Sequence, residues 1–266
     1  MKLKPVTHAH PPELRDEDAE PPRTVPRGDD LDAAMDKQRD RLKDLQQLFY
    51  ADGRYAMLLV FQGRDASGKD GVIKKVIGAV NPMGCEISSF KAPTEFERKH
   101  DFLWRIHART PSHGTLGVFN RSHYEDVLAV RVHKILPKNV WSKRFDQINE
   151  FERSLSLNNT VILKFMLHVS RNEQKKRLKA RLSDVTRNWK FRAEDLDDRA
   201  KWNDYTSAYR DALSRCSTKW APWFVVPADD KDARDYMVAR TIADTLDELD
   251  LRFPKAPKDV RKIRIV

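Results

Sequence analysis

The segment MLLVFQGRDASGKDGVIKKVI over 57–77 constrains the chain more than any other. An apolar run ends in a Gly-rich turn, and the turn opens into a helical sequence. The spacing G-x-x-x-x-G-K places Gly63 and Gly68 so that a tight turn aims backbone N–H groups at phosphate oxygens. Lys69 adds a mobile cation there, and the N-terminus of the next helix adds positive potential. A strand before the turn and a helix after it are the context that separates a phosphate-binding loop from an ordinary connection. Where such a loop normally ends in a hydroxyl that meets Mg²⁺, this one carries Asp70, and Asp65 lies inside it. A carboxylate in an anion cradle either turns away or holds metal, so metal ions bridging protein and phosphate are expected.

Further apolar runs at 85–90, 114–119, 161–169 and 223–226 read as strands. Helical periodicity is expected over 31–50, 95–108, 142–157, 171–182, 199–216 and 233–249. Alternating strands and helices imply an α/β fold with a parallel sheet covered on both faces and ligands beyond the C-terminal strand ends. A chain of 266 residues fits one such domain with appendages. Residues 1–30, Pro-rich and poor in large apolar side chains, are expected to form a flexible or surface-draped arm. Residues 31–254 form the expected α/β domain, and 255–266 a basic tail. The helix over 31–50 is expected to pack on the sheet or on a partner subunit.

Lys and Arg number 50 against 40 Asp and Glu, a net charge of +10, which favours a polyanionic partner. Cys85 and Cys216 show no paired spacing, so neither a disulfide framework nor a zinc site is indicated. The histidines show no metal-ligand periodicity, although His123 sits where it could meet substrate. No zinc-finger, KH or RNP-type pattern is present, so no specific nucleic acid is expected. With no signal-like apolar start and no run of membrane-spanning length, the expectation is a soluble cytoplasmic protein without a membrane partner.

Two other places carry charge suited to phosphoryl transfer, which needs alignment and neutralisation more than covalent chemistry. The first is NRSHYED over 120–126, at the end of the third expected strand. Asn120 stands where an acidic metal ligand would, so Asp65, Asp70, Glu125 or Asp126 must supply the charge. The second is the basic stretch 171–192, with Lys175, Lys176, Arg177, Lys179, Arg181, Arg187, Lys190 and Arg192. Arg177 and Arg181 share one helical face, as in an arm that closes over phosphates, and Trp189 could stack on a base.

Taken together, GRDASGKD over 63–70, NRSHYED over 120–126 and SRNEQKKR over 170–177, with Trp189 and Lys190, resemble the family-2 polyphosphate kinases over about 31–254. The resemblance implies a three-layer α/β/α P-loop kinase fold over 31–254, similar to thymidylate kinases, with a helical lid at about 171–198. It implies reversible transfer of the terminal phosphoryl group between inorganic polyphosphate and AMP, ADP or ATP, with Mg²⁺ or Mn²⁺. Asp65, Lys69, Arg121, Arg177 and Arg181 are then the expected catalytic residues. Gly63, Ala66, Ser67, Gly68, Lys69, Asp70, Lys74, Asn120 and Glu125 are expected to hold the substrates, and Asp65, Asp70 and Asp126 the metal. Glu125 replaces the Asn of many diphosphate-specific members, which points to acceptance of both AMP and ADP. A homo-oligomer, dimer or tetramer, is expected likewise. The alternatives are an ATP-dependent nucleoside monophosphate kinase, a nucleic-acid-binding P-loop protein, and a structural protein with a vestigial loop.

Overall fold

A computed structural model describes residues 2–7, 11–186 and 188–256. Arg187 and most of the basic tail (257–266) lie outside them. Five strands, β1 (Ala56–Gly63), β2 (Cys85–Ser89), β3 (Leu116–Asn120), β4 (Thr160–His168) and β5 (Trp223–Pro227), form one sheet in the order β2-β3-β1-β4-β5. Every pairing is parallel. The longer helices are α1 (Asp29–Asp52), α2 (Lys69–Val76), α6 (Arg144–Leu157), α7 (Arg171–Ser183), α8 (Glu194–Ala200), α9 (Trp202–Cys216) and α10 (Lys231–Asp247). The single turns α3 (Trp104–His107), α4 (Ala129–Val132) and α5 (Lys138–Trp141) lie between α2 and α6.

β1 is central and buried along its whole length, as a largely apolar parallel strand with both faces covered must be. Because successive side chains point to opposite faces, Met57, Leu59 and Phe61 enter one core, with Phe49 of α1, Val72 of α2 and Met237 of α10. Leu58 and Val60 enter the other, with Ile148 of α6 and Leu213 of α9. In register, Phe61, Phe165 and Phe224 stack across β1, β4 and β5, with ring centroids 5.3 and 5.6 Å apart. These two cores make the three layers. They fix the C-terminal end of β1, from which the phosphate loop departs. α1 packs on α10 through this first core.

Of the two forms expected for the N-terminal arm, residues 2–7 and 11–28 take the draped one: Leu3 and Val25 enter the first core and Leu14 the second, and the Val6 N–H donates to the Trp223 carbonyl in the edge strand β5. A few apolar side chains, each too isolated to show periodicity, find burial in tertiary structure. The helix expected over 95–108 is replaced by a 3₁₀ turn (Glu97–Lys99) and α3. Thr94 and Glu97 cap one another (2.7 and 3.2 Å), and Asp101 then accepts from the Leu103 N–H (2.9 Å), starting a second turn. Short polar side chains that bond the local backbone divide what a continuous helix would join. Among the described residues no helix is long and apolar enough to cross a membrane.

Candidate phosphate-transfer site

The loop leaves β1 at Gly63, where no side chain fits: a Cβ there would lie 2.6 Å from Ser67 Oγ and 2.7 Å from the Leu167 carbonyl. Ala66 takes a left-handed backbone at φ 62°, and α2 begins at Lys69, one residue after Gly68. Strain in non-glycine residues of this kind clusters at functional sites. Arg121, at φ 61°, repeats it. The Arg121 N–H donates to the Phe61 carbonyl (3.1 Å), and its guanidinium reaches Asp65 Oδ1 (2.9 Å). In this way the end of β3 brings the second motif against the loop.

Lys69 is buried, with its ammonium donating to the carbonyl of Gly63 at 2.7 Å. Burial draws its pKa down, against the pull of Asp65. Glu125 faces the same group: burial pushes its carboxyl up, while Arg121 and Lys69 oppose the shift. The Gln62 amide, in the orientation its neighbours satisfy, donates to Glu125 Oε1 (3.1 Å) and accepts from Ser122 N and Oγ (3.1 Å). Asp65, Glu125, Lys69 and Arg121 therefore form one cluster of alternating charge at the strand ends.

Asp70 resolves its own anomaly by accepting from Asn120 Nδ2 (2.9 Å) and from Lys190 of the lid (3.3 Å). Burial pushes its carboxyl up, but those two donors outweigh it and the pKa falls. Asn120 is thus a partner of Asp70. Ser67 is buried, and its Oγ has no hydrogen-bond partner among the described residues. Lys74 is exposed on α2.

Several expected roles move. The Asp126 carboxylate, expected at the metal, is held by Arg144 (2.6 Å), whose guanidinium lies over the Phe102 ring. Arg177 is not a free lid cation: it donates to the carbonyls of Ala66 and Ser67 (3.1 Å each), Ala228 (2.6 Å) and Asp229 (2.9 Å). Arg181 pairs with Asp195 (3.0 Å), which braces α7 against α8. His123 points into the core and meets Glu152 (3.2 Å), in a fully buried network with Tyr124 and Lys164. Trp189 stands exposed, and its indole N–H donates to the Thr186 carbonyl.

Sequence reasoning missed part of the site. Arg64 is buried over the Trp202 ring (4.0 Å) and donates to Thr206 Oγ1 (2.5 Å); burial lowers its pKa to about 10. Gln174 donates to the Asp65 carbonyl (2.9 Å). With Tyr205, Tyr209 and Asp198 these two line a narrow cleft of about 30 Å³ that also borders Gly63, Asp65, Arg121 and Glu125. Tyr205 and Tyr209, four apart on α9, were the available signal.

Among the described residues no three His, Cys, Asp or Glu side chains gather as a metal group. Mg²⁺ does not require one, since one or two carboxylates with substrate phosphates and water suffice. The hard carboxylate oxygens of Asp65 and Asp70, both carried by the loop, fit that requirement.

Comparison with known proteins agrees with this geometry. The sequence pattern of the family described as polyphosphate kinase 2 matches residues 27–254. An AMP/ADP-polyphosphate phosphotransferase of Meiothermus ruber is 47% identical over 225 residues, spanning 85% of this chain and 84% of its own. An ADP-polyphosphate phosphotransferase of Rhodopseudomonas palustris is 46% identical over 237 residues, spanning 85% and 82%. The crystal structure of a polyphosphate kinase 2 from Arthrobacter aurescens superposes with a TM-score of 0.88 at 40% identity, covering 98% of this chain and 96% of that one.

Proposed function

Because the chain belongs to the polyphosphate kinase 2 family, we propose that it transfers the terminal phosphoryl group of inorganic polyphosphate reversibly to both AMP and ADP. It is a phosphotransferase of the kinase type. The observation that carries the reading is the junction of Lys69, Asp65, Arg121 and Glu125 at the ends of β1 and β3, where two cations and two carboxylates surround one point.

The loop amides and Lys69 bind the phosphates at the point of transfer. Arg121, held by Asp65, turns its charge toward the same point and stabilises the charge spread over the moving group. The acceptor is a nucleotide phosphate oxygen, already anionic, so no strong general base is needed, and alignment supplies most of the rate. Mg²⁺ or Mn²⁺, held by Asp65 and Asp70 with the substrate phosphates, would neutralise charge on those phosphates. Lys190, paired with Asp70, closes the lid segment over the loop. Glu125 beside the cleft selects for acceptance of AMP as well as ADP. We place the enzyme in the cytoplasm as a dimer or tetramer, and light scattering reads the latter.

The test is to supply AMP or ADP in turn with long-chain polyphosphate and Mg²⁺ and to follow nucleotides by chromatography. Product from both supports the reading. Product from ADP alone removes the Glu125 assignment, and turnover of AMP with ATP as the only effective donor removes the polyphosphate reading.

A further inference from the structure

The carbonyls of the phosphate loop can be accounted for one by one. Gly63 O accepts from Lys69; Arg64 O from Lys69 and the Ser67 N–H; Asp65 O from Gln174; Ala66 O from Arg177. Ser67 O is held twice, by Arg177 (3.1 Å) and by Arg234 of α10 (3.3 Å), and Gly68 O accepts from the N–H groups of Gly71 and Val72. Among the described residues no acceptor is recorded for the N–H groups of Asp65, Ala66, Gly68 or Lys69. A trans peptide is a rigid plane whose C=O and N–H point in opposite directions. Tying Ser67 O behind the loop therefore drives the Gly68 N–H into the cradle.

That plane needs holding more than its neighbours do. Gly68 sits at φ 102°, and glycine, which tolerates both signs of φ, permits the Ser67–Gly68 peptide to flip. Flipped, it would present a carbonyl oxygen to phosphate. Arg234 is only 2% exposed, lies against both Gly68 and Gly71, and is paired with the equally buried Asp235 at 2.7 Å. A buried ion pair contributes little net stability, so a structural reason alone accounts poorly for it.

We propose that Arg234, oriented by Asp235 and acting with Arg177, is a positioning residue. It locks the Ser67–Gly68 peptide so that the Gly68 N–H faces the bound phosphate chain. The two guanidinium groups touch no substrate and act through the backbone. This rests on the reading that the loop holds a phosphate chain.

Tripolyphosphate is the probe, with its affinity measured by calorimetry on the full chain and the Gly68 amide followed by NMR. Arg234→Lys keeps the charge but cannot hold both Ser67 O and Asp235. Its affinity should fall about tenfold, the loss of a charge-assisted hydrogen bond, and the Gly68 amide shift caused by the ligand should shrink. Should Arg234→Lys not fold, Asp235→Asn frees the same guanidinium and should give the same tenfold loss. Affinity within twofold of wild type in the folded variant, whatever its melting temperature, would overturn the clamp. So would a wild-type Gly68 amide that does not respond to bound tripolyphosphate. A wild-type chain that binds no tripolyphosphate would overturn the phosphate-chain reading itself, and the clamp with it.

Discussion

Replacing Lys69 with Met removes one charge and keeps most of the volume. The ammonium is buried beside Asp65 and Arg121, with the Gly63 carbonyl at 2.7 Å. A unit charge about 4 Å from the charge developing on the moving phosphoryl group is worth about 4 kcal/mol at an effective dielectric near 20. That corresponds to roughly a thousandfold in rate. Stability should move little, because two effects oppose. Relieving a buried ammonium, whose pKa burial already lowers, favours the variant, while the Gly63 carbonyl loses its donor, each effect amounting to about 1–3 kcal/mol. The assay is the initial rate of ADP formation from AMP and polyphosphate at saturating substrate, paired with thermal unfolding. The expected result is a rate lower by about a thousand, with a melting temperature within about 3 °C of wild type. A fall of less than tenfold in a folded variant would refute the electrostatic reasoning.

Glu125→Asn should abolish phosphorylation of AMP while leaving ADP as an acceptor, read as separate kcat/KM values; loss of both or neither would contradict the assignment. Glu125→Gln tests the pH sign. Burial raises the Glu125 pKa, so its contribution to stability is complete below the unfolded value near 4.5 and is lost as pH rises through the folded one. The variant should therefore melt higher than wild type at pH 8, with the gap closing toward pH 4.5. Asp126→Asn should leave the Mg²⁺ dependence unchanged but cost about 2 kcal/mol, short of a fully buried charge left unpaired, because the pair with Arg144 keeps some exposure. Lys164→Met should cost about 3–5 kcal/mol in urea unfolding by stranding Glu152, which is fully buried with it.

Those contrasts track what a sequence can carry. β1, β4 and β5 were legible because parallel strands buried on both faces read as largely apolar runs, broken in mid-strand only by the buried Lys164 of β4. The 95–108 region was not, because Thr94 and Asp101 compete for the backbone through side-chain bonds that periodicity ignores. How the N-terminal segment drapes was not legible, since Leu3, Leu14 and Val25 are single apolar side chains that join cores built largely from elements far along the chain.

At the site, the strand-loop-helix context announced Lys69 and Asp65, and the structure brings Arg121 to them. Arg177 carried the right charge for either of two tasks. A guanidinium that grips backbone carbonyls and one that grips phosphate look alike in a basic helix, and only the fold separates them. Asp126 and Glu125 are adjacent in sequence, yet the 3₁₀ turn His123–Asp126 sends one to Arg144 and the other to the loop. Gln62 was hidden as the single polar residue ending an apolar strand.

The most direct test of the whole account uses polyphosphate carrying labelled phosphorus, with unlabelled AMP and Mg²⁺ and no ATP, in a single-turnover experiment. The account predicts label at the β-phosphate of newly formed ADP, at a rate that collapses in Lys69→Met. Free labelled phosphate with no labelled nucleotide, or labelled ADP formed equally well by Lys69→Met, would contradict it.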